Sequence, residues 1–250
     1  MHKDILIRTI EELSMNAWPA LHTVFYDGWI LRFAGGYTRR ANSVAPLYPS
    51  SRDSAEKLPV CEALFRETQL PTVFKLAATS QAGALDRLLA EHGYRSEALT
   101  SVQVLDLNKW TGDQPEGVES SGAVTEEWLA AASRMSRARP EQIAAHRKIL
   151  ALIVPARHFA WIEAEGQVIA CGLGVAQDGY VGIFDIAVDP GRRRQGYAER
   201  LMQDLLAWGK QVGARTAYLQ VMLDNEPALH LYQKLGFREA YQYWYRVKPY

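Results

Sequence analysis

The stretch Gly191–Ala198, GRRRQGYA, follows FDIAVDP and runs straight into ERLMQDLLAWGKQVGA. It sets three arginines and a second glycine at the joint between an apolar strand and an amphipathic helix. A strand that ends, turns through glycine and opens a helix exposes backbone N–H groups beside the positive end of the helix dipole. Anions bind there, phosphates above all. Gly196 lets the backbone approach an anion with no Cβ between them, and Ala198 keeps the first helical turn equally close. The arginines add charge and fork-shaped donors. The plainer reading of an arginine-rich turn is a solvated face. Two other phosphate loops fit less well. There is no GxxxxGK[ST], and GLGVAQ at 172–177 carries Gln177 where a dinucleotide fingerprint has its third glycine.

The surroundings make any such site local. Of 250 residues, 48% are apolar and 22% charged, which is ordinary globular composition. Lys plus Arg equals Asp plus Glu at 28 each, so no overall field draws nucleic acid or an acidic membrane, and neither is expected as a partner. Only Cys61 and Cys171 occur, and the six histidines are scattered, so neither a disulfide framework nor a metal site is expected. The opening MHKDILIRTIEELSMNAW has acids inside its apolar stretch and reads as an amphipathic helix, not a signal peptide. The longest apolar run, ILALIV at 149–154, is too short to span a bilayer. A cytoplasmic location is the expectation.

The elements that must hold the arginine turn follow from periodicity. Helices are predicted over about 125–136 and 140–152, the second opened by Pro140. HFAWIEAEG, QVIACGLGVAQDG and YVGIFDIAVDP read as three strands joined by glycine-containing turns. A helix over 198–212, the strand TAYLQVML, a helix over 226–235 and the aromatic strand EAYQYWYRV complete the chain. Asn108–Gly122, NKWTGDQPEGVESSG, lacks periodicity and reads as a boundary, giving domains at 1–110 and 123–250 with 111–122 as linker. The first half repeats the order of the second. Setting AEKL at 55–58 on AERL at 198–201 gives an offset of 143, which also matches Gly36-Tyr37, Leu76, Leu88, Gly93 and Arg95 without a gap.

Downstream, Asn225, Ala228, Leu231, Tyr232, Gly236 and Phe237 spell N-x-x-A-x-x-L-Y-x-x-x-G-F. With R-x-x-G-x-A at Arg193–Ala198 and the preceding IAVDP, this closely resembles the GNAT superfamily of acyl-CoA-dependent N-acyltransferases. The likeness covers about 124–247, and the first half resembles a second, degenerate GNAT repeat. It implies an α/β (α+β) fold of two GNAT-like domains. Each would be a twisted mixed sheet flanked by helices, with a splayed strand pair for acyl-CoA in the C-terminal one. It also implies acetyl-CoA as donor and a primary amine as acceptor. The pyrophosphate would sit on Arg193, Arg194, Gln195, Gly196, Tyr197 and Ala198, and the pantetheine arm would pair with Ile186, Ala187 and Val188. Asn225 matches the cofactor-side asparagine of the family and Tyr232 its catalytic tyrosine.

By spacing alone Tyr232 is a buried tyrosine of an amphipathic helix; the motif adds the role of proton donor to the leaving thiolate. Many family members carry a glutamate on the strand before the asparagine, where this chain has Gln220. Asp185, a lone carboxylate in an apolar strand, is the alternative base, or else it fixes a nearby backbone group or arginine. Three arginines between two helices, in RMSRARPE, include Arg134 and Arg137, which either border the acceptor or solvate a helix end. At the 143 offset the first half has Ser50 and Asp53 in the loop, Ala82 for Asn225 and Leu89 for Tyr232. That copy is expected to be structural or to help bind the acceptor, through a strand face carrying Thr38, Arg40 and Asn42. The rival to an enzyme is a non-catalytic acyl-CoA sensor on the same fold.

Overall fold

A computed structural model describes residues 2–79 and 82–249. The chain divides into two compact units. One comprises Met1–Ser101, Met222–Asp224 and Tyr241–Tyr250; the other comprises Val102–Val221 and Asn225–Ala240.

The first unit opens with α1 (His2–Ala17), which buries Ile7, Ile10 and Leu13 along one face. β1 (His22–Tyr26) and β2 (Trp29–Phe33) form an antiparallel hairpin whose turn, Asp27-Gly28, has positive φ at both residues, as a two-residue hairpin loop of this kind needs. β3 (Val44–Pro46), α2 (Ser54–Glu67), β4 (Thr72–Ala77), α3 (Ala82–Glu91) and β5 (Arg95–Asp106, to Ser101 in this unit) follow. Trp29, Leu31, Phe65, Phe74 and Leu89 form the centre of this unit's core.

Residues 37–43 depart from the expected strand. Thr38 accepts from the Arg40 N–H and caps a single 3₁₀ turn over Arg39–Ala41. The Asn42 side chain accepts from the Ala34 and Gly36 N–H groups at 2.7 and 3.0 Å and donates to the Thr38 carbonyl at 2.8 Å. Short polar side chains that bond their own backbone favour turns over ladders, which is why the alternation failed here. Arg40 stacks over the Trp18 ring, 4.6 Å from its centroid.

The second unit contains β6 (Glu119–Ser121), α4 (Glu126–Ser136), α5 (Pro140–Ala151), β7 (Ala156–Ala164), β8 (Gln167–Gln177), β9 (Tyr180–Val188), α6 (Tyr197–Gln211), β10 (Thr216–Met222, to Val221 in this unit) and α7 (Glu226–Lys234). Its strands run in the order β10-β9-β8-β7-β6, all antiparallel except the β9–β10 pair. Leu201, Met202, Leu205 and Leu206 of α6 are wholly buried in one cluster with Ala170, Val181, Ile183, Ala217 and Leu219 of the sheet. At about 1.5–3 kcal/mol for each large side chain removed from water, these leucines fix α6, and hence its N-terminus, on the sheet. The chain ends with β11 (Arg238–Lys248), whose Tyr243–Lys248 pairs antiparallel with β4 inside the first unit.

The stretch expected to be a linker belongs to the second unit. Leu107 and Trp110 lie in its core, Glu119–Ser121 pairs with β7, and Arg200 of α6 donates to the Glu116 and Gly117 carbonyls. Ahead of that short ladder, its acid-, Gly- and Pro-rich sequence has no period, and side chains of α6 bind the Trp110, Glu116 and Gly117 carbonyls. The repeat is visible in the elements. α6, β10, α7 and β11 each begin 143 or 144 residues after α2, β4, α3 and β5.

Candidate active site

The site is built where β9 changes partner. β9 and β10 pair in parallel from Tyr180↔Thr216 to Ile183↔Leu219. From Phe184 onward β9 keeps its pairing with β8 only, so the two parallel strands separate. The cause is a β-bulge. Leu173 faces Phe184 and Cys171 faces Ala187, leaving Gly172 opposite both Asp185 and Ile186. Asp185 takes φ 51°, a left-handed conformation that costs a non-glycine residue strain. A Cβ on Gly172 would lie 2.6 Å from Ile186 Cδ1 and 3.2 Å from Leu205 Cδ1, so any side chain across from the bulge must push these neighbours aside. Trp128 of α4 pins the same point, its indole N–H donating to the Ala160 and Gly172 carbonyls at 3.1 and 3.3 Å. Asp185, Ile186, Ala187 and Val188 are all half-buried.

β9 then enters the arginine turn. The Asp189 side chain accepts from the Gly191 N–H at 3.0 Å, and Pro190–Arg192 forms a 3₁₀ turn. Arg194 and Gly196 both have positive φ, 62° and 83°. Gly196 is the N-cap of α6, and no side chain caps that helix. A Cβ built on Gly196 would meet nothing within 4 Å. Glycine is needed there for its backbone angle, and the space beside it is open. Arg192 is committed to Glu165, with its Nη2 2.8 Å from the carboxylate. Arg193 and Arg194 are exposed and make no hydrogen bond or ion pair among the described residues. An uncapped helix start flanked by two uncommitted guanidinium groups suits a diphosphate.

Tyr232 is buried on α7, its ring 6.0 Å from Phe237 in an edge-on arrangement, and its carbonyl accepts from the Phe237 N–H at 2.9 Å. Burial pushes its hydroxyl up to about 12, so the proton stays on at neutral pH. The hydroxyl has no hydrogen-bond partner among the described residues. Asn225 is exposed and caps α7, its Oδ1 3.4 Å from the Ala228 N–H.

The arginines ahead of α5 differ in what they hold. Arg134 donates to the Val168 carbonyl at 2.6 Å and lies 3.9 Å from Asp189. Arg137 ends α4 in a left-handed conformation with its side chain exposed. Arg40 and Asn42 belong to the first unit, where their contacts are those of the turn described above. Among the described residues no cluster of His, Cys, Asp or Glu is arranged to hold a metal ion, and no helix is long and apolar enough to cross a membrane.

One residue escaped sequence reading. His146 sits on α5 among Ala145, Ile149 and Leu150, 3% exposed, with Nε2 2.9 Å from Asp185 Oδ2. Its only signal is a titratable side chain on the buried face of a helix.

In the first unit, the loop corresponding to Arg193–Ala198 already holds an anion. The Asp27 carboxylate accepts from the Ser51 and Arg52 N–H groups at 3.0 and 2.9 Å and from the Ser51 hydroxyl at 2.7 Å. The fully buried Lys57 ammonium lies 3.4 Å away.

A strand pair splayed by a bulge and followed by an uncapped, glycine-entered helix defines the GNAT class of acetyltransferase fold. A family model described as "Probable histone acetyltransferase Rv0428c C-terminal" matches residues 5–246, and the chain belongs to that family. Over 248 residues it is 28% identical to the uncharacterized N-acetyltransferase YobR of Bacillus subtilis, covering 97% of this chain and 98% of that protein. A 58-residue stretch is 41% identical to the [ribosomal protein bS18]-alanine N-acetyltransferase of Escherichia coli, covering 23% of this chain and 39% of that one. Among solved structures, a GCN5-related N-acetyltransferase from Kribbella flavida aligns over 97% of this chain and 95% of its own, with TM-score 0.70 and 16% identity. A tandem GNAT protein from the clavulanic acid biosynthesis pathway aligns over 96% and 87%, with TM-score 0.64 and 13% identity. The protein is an acyl-CoA-dependent N-acetyltransferase with the two-copy GNAT architecture that the sequence implied.

Proposed function

We propose that this enzyme transfers an acetyl group from acetyl-CoA to a primary amine by direct attack in a ternary complex, using the second unit alone. The observation that carries the reading is the continuity of the bulge at Asp185 with the open, uncapped start of α6. The backbone N–H groups of Arg193–Ala198, with Arg193 and Arg194, would hold the pyrophosphate. Ile186, Ala187 and Val188, which have left β10, would receive the pantetheine arm as an added strand. Acetyl-CoA supplies a thioester whose carbonyl carbon is open to an amine and whose thiolate leaves.

The chain's own groups manage the protons. The Asp185 carboxylate takes one from the acceptor ammonium, and the freed nitrogen forms its bond to the carbonyl carbon as the C–S bond breaks. Tyr232, which keeps its hydroxyl proton at neutral pH, gives it to the sulfur. The second nitrogen proton and the one on Asp185 pass to water, and Tyr232 is reprotonated from water. In the first unit, Asp27 stands where the pyrophosphate would lie, which supports a non-binding role for that copy. The test is free-thiol release from acetyl-CoA across a panel of primary amines, with acceptors checked for the added acetyl mass. Amine-dependent release is expected; binding of acetyl-CoA with no release above background for any amine refutes the reading.

A further inference from the structure

The second unit holds two buried His–Asp pairs, and they differ in what they face. His158 of β7 lies 2.9 Å from Asp204 of α6, with side-chain exposures of 11% and 1%, and its ring stacks on Trp208 at 4.9 Å. Gln114 donates to the other oxygen of that carboxylate at 3.2 Å, so both Asp204 oxygens are engaged within the packing. His146 and Asp185 are separated by the same 2.9 Å, but here the histidine is 3% exposed and the carboxylate side chain 18%. The open member is the one at the bulge, on the strand that has just parted from β10. The histidine behind it is held by the Trp128 ring, 6.2 Å away, and Trp128 itself is tied to the bulge through Gly172. α4, α5, β8 and β9 thus meet at Asp185. The other titratable groups there are Cys171 of β8, whose thiol is pushed up by burial and then by the Asp185 charge, and Arg134 of α4.

We infer that His146 is a positioning residue for acetyl transfer, its Nε2 holding the Asp185 carboxylate at the mouth of the splayed strands. The inference rests on the proposed function and deepens it. A carboxylate on a left-handed bulge residue has no ladder to fix its direction, and a buried imidazole at 2.9 Å supplies that direction from behind. His146 reaches no acceptor itself; it acts through Asp185. An ordinary core histidine would not need its partner to be the one carboxylate in the apolar run of β9.

The experiment is a double-mutant cycle on the full chain, with thiol release for kcat and KM and calorimetry for CoA affinity. His146→Phe keeps the ring volume and removes the nitrogen. It should lower kcat with CoA affinity unchanged, by less than the about 100- to 10,000-fold a general base contributes. His146→Gln, which can set an amide nitrogen near the Nε2 position, should recover most of that loss. In the Asp185→Asn background His146→Phe should cost less than about twofold, because residues acting as one unit are non-additive. An equal cost in both backgrounds, or full kcat in His146→Phe, overturns the inference while leaving the proposed transfer intact. If His146→Phe melts before it can be assayed, the cycle is run with His146→Asn, whose amide is too short to reach the Nε2 position, and additivity with Asp185→Asn is again the refuting result. A wild-type protein that releases no thiol with any amine takes down the transfer reading, and this inference with it.

Discussion

Replacing Gly196 separates backbone strain from charge. The residue sits at φ 83°, and a Cβ added there meets nothing within 4 Å. Gly196→Ala therefore carries only the left-handed penalty, about 1–2 kcal/mol. For a chain of this size each kcal/mol lowers Tm by about 2–4 °C. Gly196→Asp carries the same backbone penalty and adds an anion in the open space beside the helix start. At about 5 Å and an effective dielectric near 20, a carboxylate opposes each phosphate charge by roughly 3 kcal/mol, more than 100-fold in affinity. Calorimetry with CoA reads the binding, and thermal melts read the strain. The two variants should melt within a few degrees of each other, while Asp abolishes measurable CoA binding and Ala weakens it modestly. Equal affinities in the two variants, or an unchanged affinity in Gly196→Asp, would show that no diphosphate lies on this turn.

Three further outcomes follow from the same geometry. Tyr232→Phe should lower kcat by up to the about 100- to 10,000-fold of general acid catalysis, with CoA affinity nearly unchanged; full transferase activity would remove the tyrosine from the mechanism. Gly172→Ala drives a methyl into Ile186 at 2.6 Å and should cost about 1–3 kcal/mol from overpacking, with weaker CoA binding because the bulge shifts; a melt and a calorimetric titration check both. The Asp27 carboxyl is held far below its ordinary range, first by the Ser51 N–H and then by the Arg52 N–H. A depressed folded-state value means that its stabilisation is fully present above the unfolded value of about 4 and is lost as pH falls below it. The Tm gap between wild type and Asp27→Asn should therefore be constant near neutrality and close in acid, and a gap that widens in acid would contradict the sign.

What could be read from the chain depended on where the determinants lie. The turn at 191–198 is local, set by glycine, proline and side chains that bond their own backbone, so the sequence exposed it; Asn225 was marked only by the family resemblance, and its cap on α7 came from the structure. The offset of 143 was legible because each repeat spends its residues on the same helix and strand faces, and α2 and α6 start in register. Other features are decided by partners distant in sequence. Nothing in the last ten residues says that they count with the first unit and pair with Thr72–Ala77. Nothing in NKWTGDQPEGVESSG says that Arg200 will bind its carbonyls. Residues 37–43 alternate like a strand, yet Asn42 bonds at 34, 36 and 38 make a turn of them. His146 needed the fold to bring it, 39 positions along the chain, to Asp185.

The proposed transfer requires one acyl-CoA per chain, at the start of α6 and along Ile186–Val188. A crystal structure of the CoA complex tests it most directly. The pyrophosphate is expected on the N–H groups of Arg193–Ala198 with the pantetheine beside Ile186–Val188, and Asp27 still on Ser51 and Arg52. Density for CoA on the Ser51–Arg52 loop, or on a surface away from the bulge at Asp185, would contradict it.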